Sequence, residues 1–494
     1  MKKLLAVLLS MALLFASCAN NPNDTNSNSP DTNPDNAPSS LSSFSIPFSD
    51  NDSFNPYTVK SSLNIAIMPL LYDSLVTVDN SFGFSPLLAE SIVRTDPLNI
   101  SVTLKNGITF SNGTAMTAED VVYSFYQGKN SSSYFSSKLS NFSKAAVSEG
   151  KIIFTLSSPE DSAENNLDFP ITSRAAGNIN PIGSGRYTLD SASYSLIPNH
   201  NYFKQTEFTL EKISCVSIPY DDSLFTAIKS GSIDIVPAEL SLGSFVGTYC
   251  NTKSVHTSNF VFLGVSGTDA LLDTALRKYI SASLNRSSAA SGIPVSTFTP
   301  SSLPIHPMKS NVFELNLNFT EKNPDAKALL PSESYSFSDA GNLFKGENKI
   351  SLSLLYLNEN SEKNMIANAI ADILSDAGIE VQLVGKNYNE YLSEVAAGNF
   401  DLYLGETKLT NSLNLNPLLT SSAFALSPSE ELKNIYSSFN SGEKSLSEFL
   451  SAFSEELPLI PLMFKNTALT YSKSVSSDMS VSITDSYLSL QNIR

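Results

Sequence analysis

The sequence predicts an α/β protein with more than one domain, and three observations support this. The chain has 494 residues, more than a single hydrophobic core usually accommodates. Strand-like and helix-like periodicities alternate from about residue 44 onward. A complete strand, helix and strand unit is visible between residues 350 and 383, and such units place their strands parallel in one sheet.

Each part of the 350–383 unit has its own pattern. Alternation at Leu352, Leu354 and Tyr356 predicts the first strand, and Gly378 ends the helix. The apolar helix face recurs at i, i+4 spacing through Met365, Ile366, Ala369, Ile370, Ile373 and Leu374. The second strand is predicted by the alternating residues Ile379, Val381 and Leu383. A further helix and strand are expected over Tyr388–Ala397 and Phe400–Leu404.

Nearer the N-terminus, alternation over residues 100–104 predicts a strand. Asn106-Gly107 predicts a hairpin turn into a second strand over 108–110, and Asn112-Gly113 predicts another turn. The next helix begins with a capping residue and two acids, namely Thr117, Glu119 and Asp120. Acids in a first turn stabilise the helix dipole, which explains them better than a catalytic pair does.

The composition excludes one class of partner. Asp and Glu number 48 against 31 Lys and Arg, and the formal net charge is −17. Because such a surface repels phosphate backbones, and no basic cluster follows, we expect no nucleic-acid partner.

The first residues predict export. Lys2 and Lys3 precede an apolar stretch, Leu4–Phe15, that is too short to span a bilayer. Phe15-Ala16-Ser17-Cys18 resembles a bacterial lipobox, which implies a signal peptide over 1–17 and lipidation of Cys18. An ordinary cleaved signal peptide is the alternative. Residues 18–43 are rich in Asn, Asp, Ser, Thr and Pro and predict a disordered tether.

Cys215 and Cys250 are the two other cysteines. Both lie beside strand-like runs, so a disulfide in one sheet and two free thiols both remain open.

Signatures of enzymes are missing from the sequence. It has no phosphate loop, dinucleotide fingerprint, H-E-x-x-H, C-x-x-C or G-x-S-x-G pattern. His200, His256 and His306 are widely spaced and are interpreted as surface or loop residues. We therefore expect no catalytic residue, no metal site and no cofactor.

A series of short motifs takes the place of such signatures. The first four are Leu71-Tyr72-Asp73-Ser74-Leu75-Val76, Pro86–Ser91, Phe110–Thr114 and Thr117–Ser124. Five more follow at Pro181–Tyr187, Ile228–Ile235, Arg277–Arg286, Gly398–Asp401 and Leu457–Leu462. In number, order and spacing they resemble the peptide/nickel-type (family 5) substrate-binding proteins of ABC importers, from about residue 44 to near the C-terminus.

The resemblance implies a periplasmic binding protein-like class II (cluster C) bilobal fold with an extra inserted α+β domain. The first lobe would comprise residues 44–78, 190–264 and 458–494, with the insertion at 79–189, and the second lobe 265–457. Two crossover strands would form the hinge, near Phe262-Leu263-Gly264-Val265 and Pro458-Leu459-Ile460-Pro461.

The family's peptide binders hold the ligand ammonium with an Asp in a W-x-x-D-Y-x-D-P-like segment. This sequence has Leu413 at the carboxylate's place, Asn416-Pro417 for D-P, and no Trp. Glu406 is a candidate replacement from a shifted register, and Lys408 suggests an anionic or carboxylate-bearing ligand. The ligand-binding residues that we predict are Ser61, Ser62, Tyr72, Glu406, Thr407, Lys408, Asn411 and Asn414.

The resemblance and the lipobox together predict a lipid-anchored, extracytoplasmic binding protein. It would be a monomer that captures a peptide-like or other small polar solute and passes it to the permease of an ABC importer. One alternative is a surface lipoprotein, such as a sensor, adhesin or scaffold, with a degenerate cleft. A hydrolase is a third hypothesis, supported by secretion alone.

Overall fold

Strands and helices alternate through the protein, as the sequence predicts. The computed structural model describes residues 43–204, 206–220, 222–239, 250–267, 271, 273–290, 298–475 and 479–493. The predicted signal peptide, Cys18 and almost all of the tether lie outside these residues.

The strands of the described residues are β1 (Phe44–Phe48), β2 (Val76–Val78), β3 (Phe84–Pro86), β4 (Ala89–Asp96), β5 (Asn99–Leu104), β6 (Phe142–Ser148), β7 (Lys151–Leu156), β8 (Tyr187–Asp190), β9 (Ser195–Pro198), β10 (Ile213–Ser217), β11 (Ile235–Glu239), β12 (Cys250–Val265), β13 (Phe298–Pro300), β14 (Tyr335–Phe337), β15 (Leu343–Lys345), β16 (Asn348–Lys349), β17 (Ser351–Leu357), β18 (Glu380–Lys386), β19 (Leu402–Lys408) and β20 (Leu459–Ser472). The helices are α1 (Ser62–Leu71), α2 (Ala118–Lys129), α3 (Tyr134–Lys138), α4 (Asp222–Ser230), α5 (Thr274–Ser283), α6 (Ser310–Phe313), α7 (Ser361–Asp376), α8 (Tyr388–Ala397), α9 (Asn416–Leu419), α10 (Glu430–Ser441) and α11 (Leu446–Glu456).

Three larger sheets organise these elements. A mixed sheet has the order β11-β20-β12-β19-β17-β18, and β13 pairs with β20. A second sheet has the order β1-β10-β9-β8, and a third, antiparallel sheet has the order β4-β5-β7-β6.

The predicted strand, helix and strand unit is present as β17, α7 and β18. The two strands pair in parallel, with Leu354 opposite Leu383. Asn360 caps α7 by accepting a hydrogen bond from the backbone N–H of Lys363 at 3.1 Å. Ile366 and Ile370 on the predicted apolar face are fully buried.

The predicted cap of α2 is also present, but the predicted hairpin before it is not. The Asp120 carboxylate accepts a hydrogen bond from the Thr117 backbone N–H at 2.9 Å, so this acid has a structural role. Strand β5 pairs with β4 and β7, while residues 108–110 form no strand. Residues 108–110 bond instead to residues 114–116 across the predicted Asn112-Gly113 turn, where the Phe110 backbone N–H donates to the Thr114 carbonyl at 2.8 Å.

Cys215 and Cys250 are free cysteines in the structure. Cys215 lies on β10 and Cys250 begins β12, and these strands belong to different sheets. The shared sheet that made a disulfide plausible is therefore not formed.

Strands β12 and β20 connect the two lobes. They pair with each other along almost their full lengths, from Cys250 opposite Ser472 to Gly264 opposite Leu459. Strand β11 pairs with the end of β20 that begins at Thr467, and β19 pairs with the end of β12 that begins at Asn259. The predicted crossover residues lie at the β19 end of this ribbon.

Separate hydrophobic cores lie on the two sides of the ribbon. One core extends from Phe44 on β1 to Ile493 near the C-terminus and defines the first lobe. Two further cores, formed mainly by residues between Phe260 and Phe464, define the second lobe. Phe82 is the exception, because it belongs to the first lobe in sequence but packs into a core of the second.

The packing of the ribbon against β19 can be tested at Gly264. A Cβ atom at this residue would lie 1.8 Å from Cε1 of Tyr403 on β19, whereas Gly267 has no atom within 4 Å of the corresponding position. We expect Gly264→Ala to lower the free energy of unfolding by about 1–3 kcal/mol, since the closely packed Tyr403 ring must move. Urea unfolding measures this, with Gly267→Ala as the control. Equal stability of the two variants would contradict the close contact.

Candidate functional site

A cavity of about 510 Å³ lies where the two lobes meet the ribbon. The first lobe lines it with residues from α1, from α3 and from the segments around Asp168, Arg186 and Asp485. The ribbon contributes Val255 to Ser258 together with Thr467 and Ala468, and the second lobe contributes Lys408 and Asn411. The cavity is thus shared by both lobes, and its volume lies within the range of about 300–1,000 Å³ that is usual for small-molecule sites.

The wall around α1 is held by the turn at 181–187. A Cβ atom on Gly183 would lie 2.2 Å from the carbonyl oxygen of Leu71, and one on Gly185 would lie 2.4 Å from that of Leu70. Glycine is therefore required for this close approach. The contact brings the Ser184 hydroxyl to Asp73, to which it donates a hydrogen bond at 2.9 Å.

Asp73 lines the cavity as a buried carboxyl group, 4% exposed. Burial raises its pKa to about 7, although the hydrogen bond from Ser184 and the nearby Arg186 act in the opposite direction. Arg186 itself pairs with Asp485 at 2.6 Å. Asp73 therefore changes its charge near neutral pH, next to an ion pair that is already satisfied.

A second polar cluster lies where the second lobe approaches. Lys138 at the end of α3 pairs with Asp168 at 2.5 Å, and both side chains are buried. Asn411 of the second lobe donates a hydrogen bond to the same carboxylate oxygen at 2.8 Å. The Tyr134 ring has the Lys138 ammonium 4.9 Å from its centroid and the Lys408 ammonium 4.7 Å from it.

Polar contacts between the lobes surround this cluster. Lys309 of the second lobe pairs with Asp161 of the first at 2.8 Å, and Asn440 accepts a hydrogen bond from the Asp161 backbone N–H at 2.9 Å. Ser412 of the second lobe donates to Glu160 at 2.5 Å. The structure therefore shows the lobes closed on each other.

Of the histidines interpreted as surface or loop residues, His256 lies instead on β12, while His306 does lie in a loop but is buried there. His256 lines the cavity, and burial lowers its pKa. His306 is fully buried, 4.7 Å from the Phe82 ring and 4.6 Å from the Phe464 ring between centroids. Within the described residues, no group of three or more His, Cys, Asp or Glu side chains is arranged to hold a metal ion.

Four of the eight predicted ligand residues line the cavity: Ser62, Tyr72, Lys408 and Asn411. Ser62 begins α1, and the Tyr72 hydroxyl donates a hydrogen bond to the Phe54 carbonyl at 3.0 Å. The four residues come from both lobes, so closure brings them together.

The other four lie outside the cavity lining. Glu406 pairs with Lys363 and, at 3.1 Å, with Lys465, so its charge is already neutralised. Asn414 accepts hydrogen bonds from the Tyr436 hydroxyl and the Asn416 backbone. Ser61 occupies the N-cap position before α1, and Thr407 pairs with Phe260 inside the mixed sheet.

The ionisable residues that sequence reasoning missed are Asp73, Lys138, Asp168, Arg186, Lys204, His256 and Asp485. Asp73 and Arg186 lie within recognised motifs, which could have identified them. Lys138, Asp168 and Asp485 belong to no motif, and only folding brings them to the cavity.

Comparisons with known proteins agree with this architecture. The model of the bacterial extracellular solute-binding proteins, family 5 Middle, matches residues 83–421. The oligopeptide-binding protein AppA of Bacillus subtilis is 23% identical over 370 residues, which cover 67% of this chain and 66% of AppA, just under two thirds of its length.

Two solved structures extend the comparison to nearly whole chains. A nickel ABC transporter protein from Bacillus halodurans matches with a TM-score of 0.72 and 19% identity, over 90% of this chain and 97% of the other. NikA from Brucella suis, in complex with Fe(III)-EDTA, matches with a TM-score of 0.68 and 17% identity, over 91% and 99%. At these identities the likeness establishes the fold, and the predicted bilobal α/β fold is confirmed.

The raised pKa of Asp73 makes stability depend on pH. Between pH 4 and 7 the unfolded chain has lost this proton and the folded protein retains it, so the wild type becomes less stable as pH rises. Relative to Asp73→Asn, we expect it to lose up to about 1.4 kcal/mol per pH unit and to level off above pH 7. Chemical unfolding between pH 4.5 and 7.5 measures the difference.

Asp190→Asn is the matched control for this prediction. Hydrogen bonds from Ser193 and from the backbone lower the pKa of Asp190 below its ordinary value, so the group stays ionised throughout that range. Its offset from the wild type should be constant. A constant offset for Asp73→Asn as well would show that Asp73 is ionised in the folded protein.

Proposed function

We propose, on the premise that this chain belongs to the bacterial extracellular solute-binding proteins of family 5, that it captures a peptide-like or other small polar solute between its lobes and delivers it to the permease of an ABC importer. The observation that carries the proposal is the cavity of about 510 Å³ with walls from both lobes and the connecting ribbon. A ligand in this position contacts both lobes only when they are closed, which couples binding to closure.

The names of the relatives support a peptide-like or chelate-like ligand. AppA is an oligopeptide-binding protein, and Brucella suis NikA is seen with a metal chelate. The wall residues of this chain include hydroxyl, amide and charged groups, which suit a polar solute. The alternative role as a sensor, adhesin or scaffold assumes a degenerate cleft. It is disfavoured because the protein's own side chains leave a cavity of about 510 Å³ between the lobes.

Recognition of the solute would differ from the scheme in which a second-lobe Asp holds the ligand ammonium. Leu413, at the corresponding place, is buried in a core of the second lobe with a positive φ of 63°. A carboxylate is therefore absent at this residue. Two carboxylates of the first lobe contact the same loop instead, Asp168 through Asn411 and Glu160 through Ser412.

In this role, Cys18 and the segment that follows it would attach the protein to a membrane. The described residues include no helix long and apolar enough to cross a membrane. Acylation of Cys18 would supply the attachment, since several buried acyl chains release very slowly.

Cys18→Ser tests the lipid anchor. Because serine has no thiol to acylate, we expect the variant to leave the membrane fraction of expressing bacteria, while Cys250→Ser stays in it. Immunoblots of membrane and soluble fractions measure the partition. Membrane retention of the Cys18 variant would contradict lipidation and favour another mode of attachment.

Closure is tested at the Lys309–Asp161 pair. Replacing Lys309, which is 5% exposed, with Gln removes a partly buried charge-assisted contact between the lobes and should weaken closure by about 1.5 kcal/mol. We expect a larger ligand-free radius of gyration in solution scattering and compaction when a random tetrapeptide mixture is added. Affinity for the mixture should fall by about tenfold, because the ligand must then also drive closure.

Lys433→Gln is the control for this experiment, since Lys433 pairs with Glu430 on the surface of α10 within one lobe. It should behave as the wild type. If the mixture neither binds the wild type nor compacts the Lys309 variant, the proposed capture of peptides is refuted.

A further inference from the structure

The cavity has more basic than acidic groups, although the whole protein has a net charge of −17. Among the described lining residues the cations are Lys138, Arg186, Lys204 and Lys408, and the acids are Asp73, Asp168 and Asp485. A positive site on a strongly acidic protein indicates selection for a ligand of a particular charge.

Pairing increases this imbalance. Asp168 is neutralised by Lys138 and Asp485 by Arg186. Asp73, the third acid, is buried and only partly ionised at neutral pH. In contrast, no carboxylate of the described residues lies within 4.0 Å of the ammonium groups of Lys204 or Lys408. The surplus charge of the cavity is therefore carried by these two lysines.

Lys408 is placed where its charge acts across the lobes. It ends β19 of the second lobe, while Lys138 ends α3 of the first, and both ammonium groups lie within 5 Å of the centroid of the Tyr134 ring. The pKa of the Tyr134 phenol is low, since the two lysines outweigh the effect of burial. Closing the lobes therefore brings the Lys408 ammonium of the second lobe to a ring of the first lobe, where no described carboxylate neutralises it.

The neighbouring Asp168 has a buried carboxylate oxygen, Oδ1, without a hydrogen-bond donor among the described residues. An ionised oxygen in that position is stabilised by a donor, and leaving it without one costs free energy. A ligand N–H or O–H group that reaches Oδ1 would supply that donor.

We propose that the captured solute carries a free carboxylate, which Lys408 binds beside Tyr134, next to an N–H group that donates to Asp168. The C-terminal residue of a peptide has this combination of groups. Because Lys408 belongs to the second lobe and Tyr134 to the first, a carboxylate bound between them favours closure as well as contact. This inference rests on the proposed function and assigns Lys408 as the residue that selects for charge.

The test compares two random tetrapeptide mixtures, one with free C-terminal carboxylates and one with C-terminal amides. Native mass spectrometry of the full chain measures binding to the wild type, Lys408→Gln and Lys444→Gln. Lys408 is exposed at a strand end, so its variant should fold, and Lys444 is a surface lysine paired with Glu448 away from the cavity.

We expect the wild type and Lys444→Gln to prefer the carboxylate mixture, and Lys408→Gln to bind it about tenfold more weakly with its amide binding unchanged. Equal binding of both mixtures by the wild type would overturn the inference and leave solute capture intact. An equal loss for both mixtures in Lys408→Gln would also overturn it.

If neither mixture binds, the proposed capture of peptides is refuted, but the carboxylate site at Lys408 is not yet decided. A third comparison then tests that site. It uses a mixture of small non-peptide carboxylic acids and the neutral methyl esters of the same acids. Retention of the acids over the esters by the wild type, lost in Lys408→Gln, supports a carboxylate site at Lys408. Retention of neither refutes it.

Discussion

The antiparallel pairing of β12 with β20 is the constraint on which the rest of the structure depends. Two strands shared by both lobes restrict their relative motion to bending and twisting of one ribbon, so the cavity walls meet in a reproducible way. The register irregularity between His256 and Phe260 lies in this ribbon beside the cavity. Such an irregularity locally disrupts the ladder and bends the strand, which suits a connection between moving parts.

Charge is arranged differently inside and outside this closed unit. The surface is acidic overall, whereas the cavity retains lysines that no described carboxylate neutralises. Contacts such as Lys309 with Asp161 favour closure, and Lys408 of the second lobe faces the Tyr134 ring of the first. A ligand that contacts both lobes would add to these interactions and shift the equilibrium further toward closure.

Local patterns predicted local structure well. The predicted cap of α2 depends on residues three positions apart, and the β17, α7 and β18 unit is contained in about 40 residues. The hairpin predicted at 108–110 did not form, because β5 pairs with the distant strand β7 while residues 108–110 bond to residues 114–116. Similarly, Glu406 was a reasonable candidate for the ligand until folding placed Lys363 and Lys465 beside it.

From the sequence alone, the order of short motifs established the family resemblance, and periodicity established the α/β class, because both are properties of neighbouring residues. Half of the predicted ligand residues, including Tyr72 and Lys408, do line the cavity. The composition of the site required the folded chain, because Lys138 and Asp168 come from separate segments of the first lobe. Lys408, from the second lobe, joins them where the lobes meet. Their physical effect depends on burial and on the distances between them, and neither quantity can be derived from the order of residues alone.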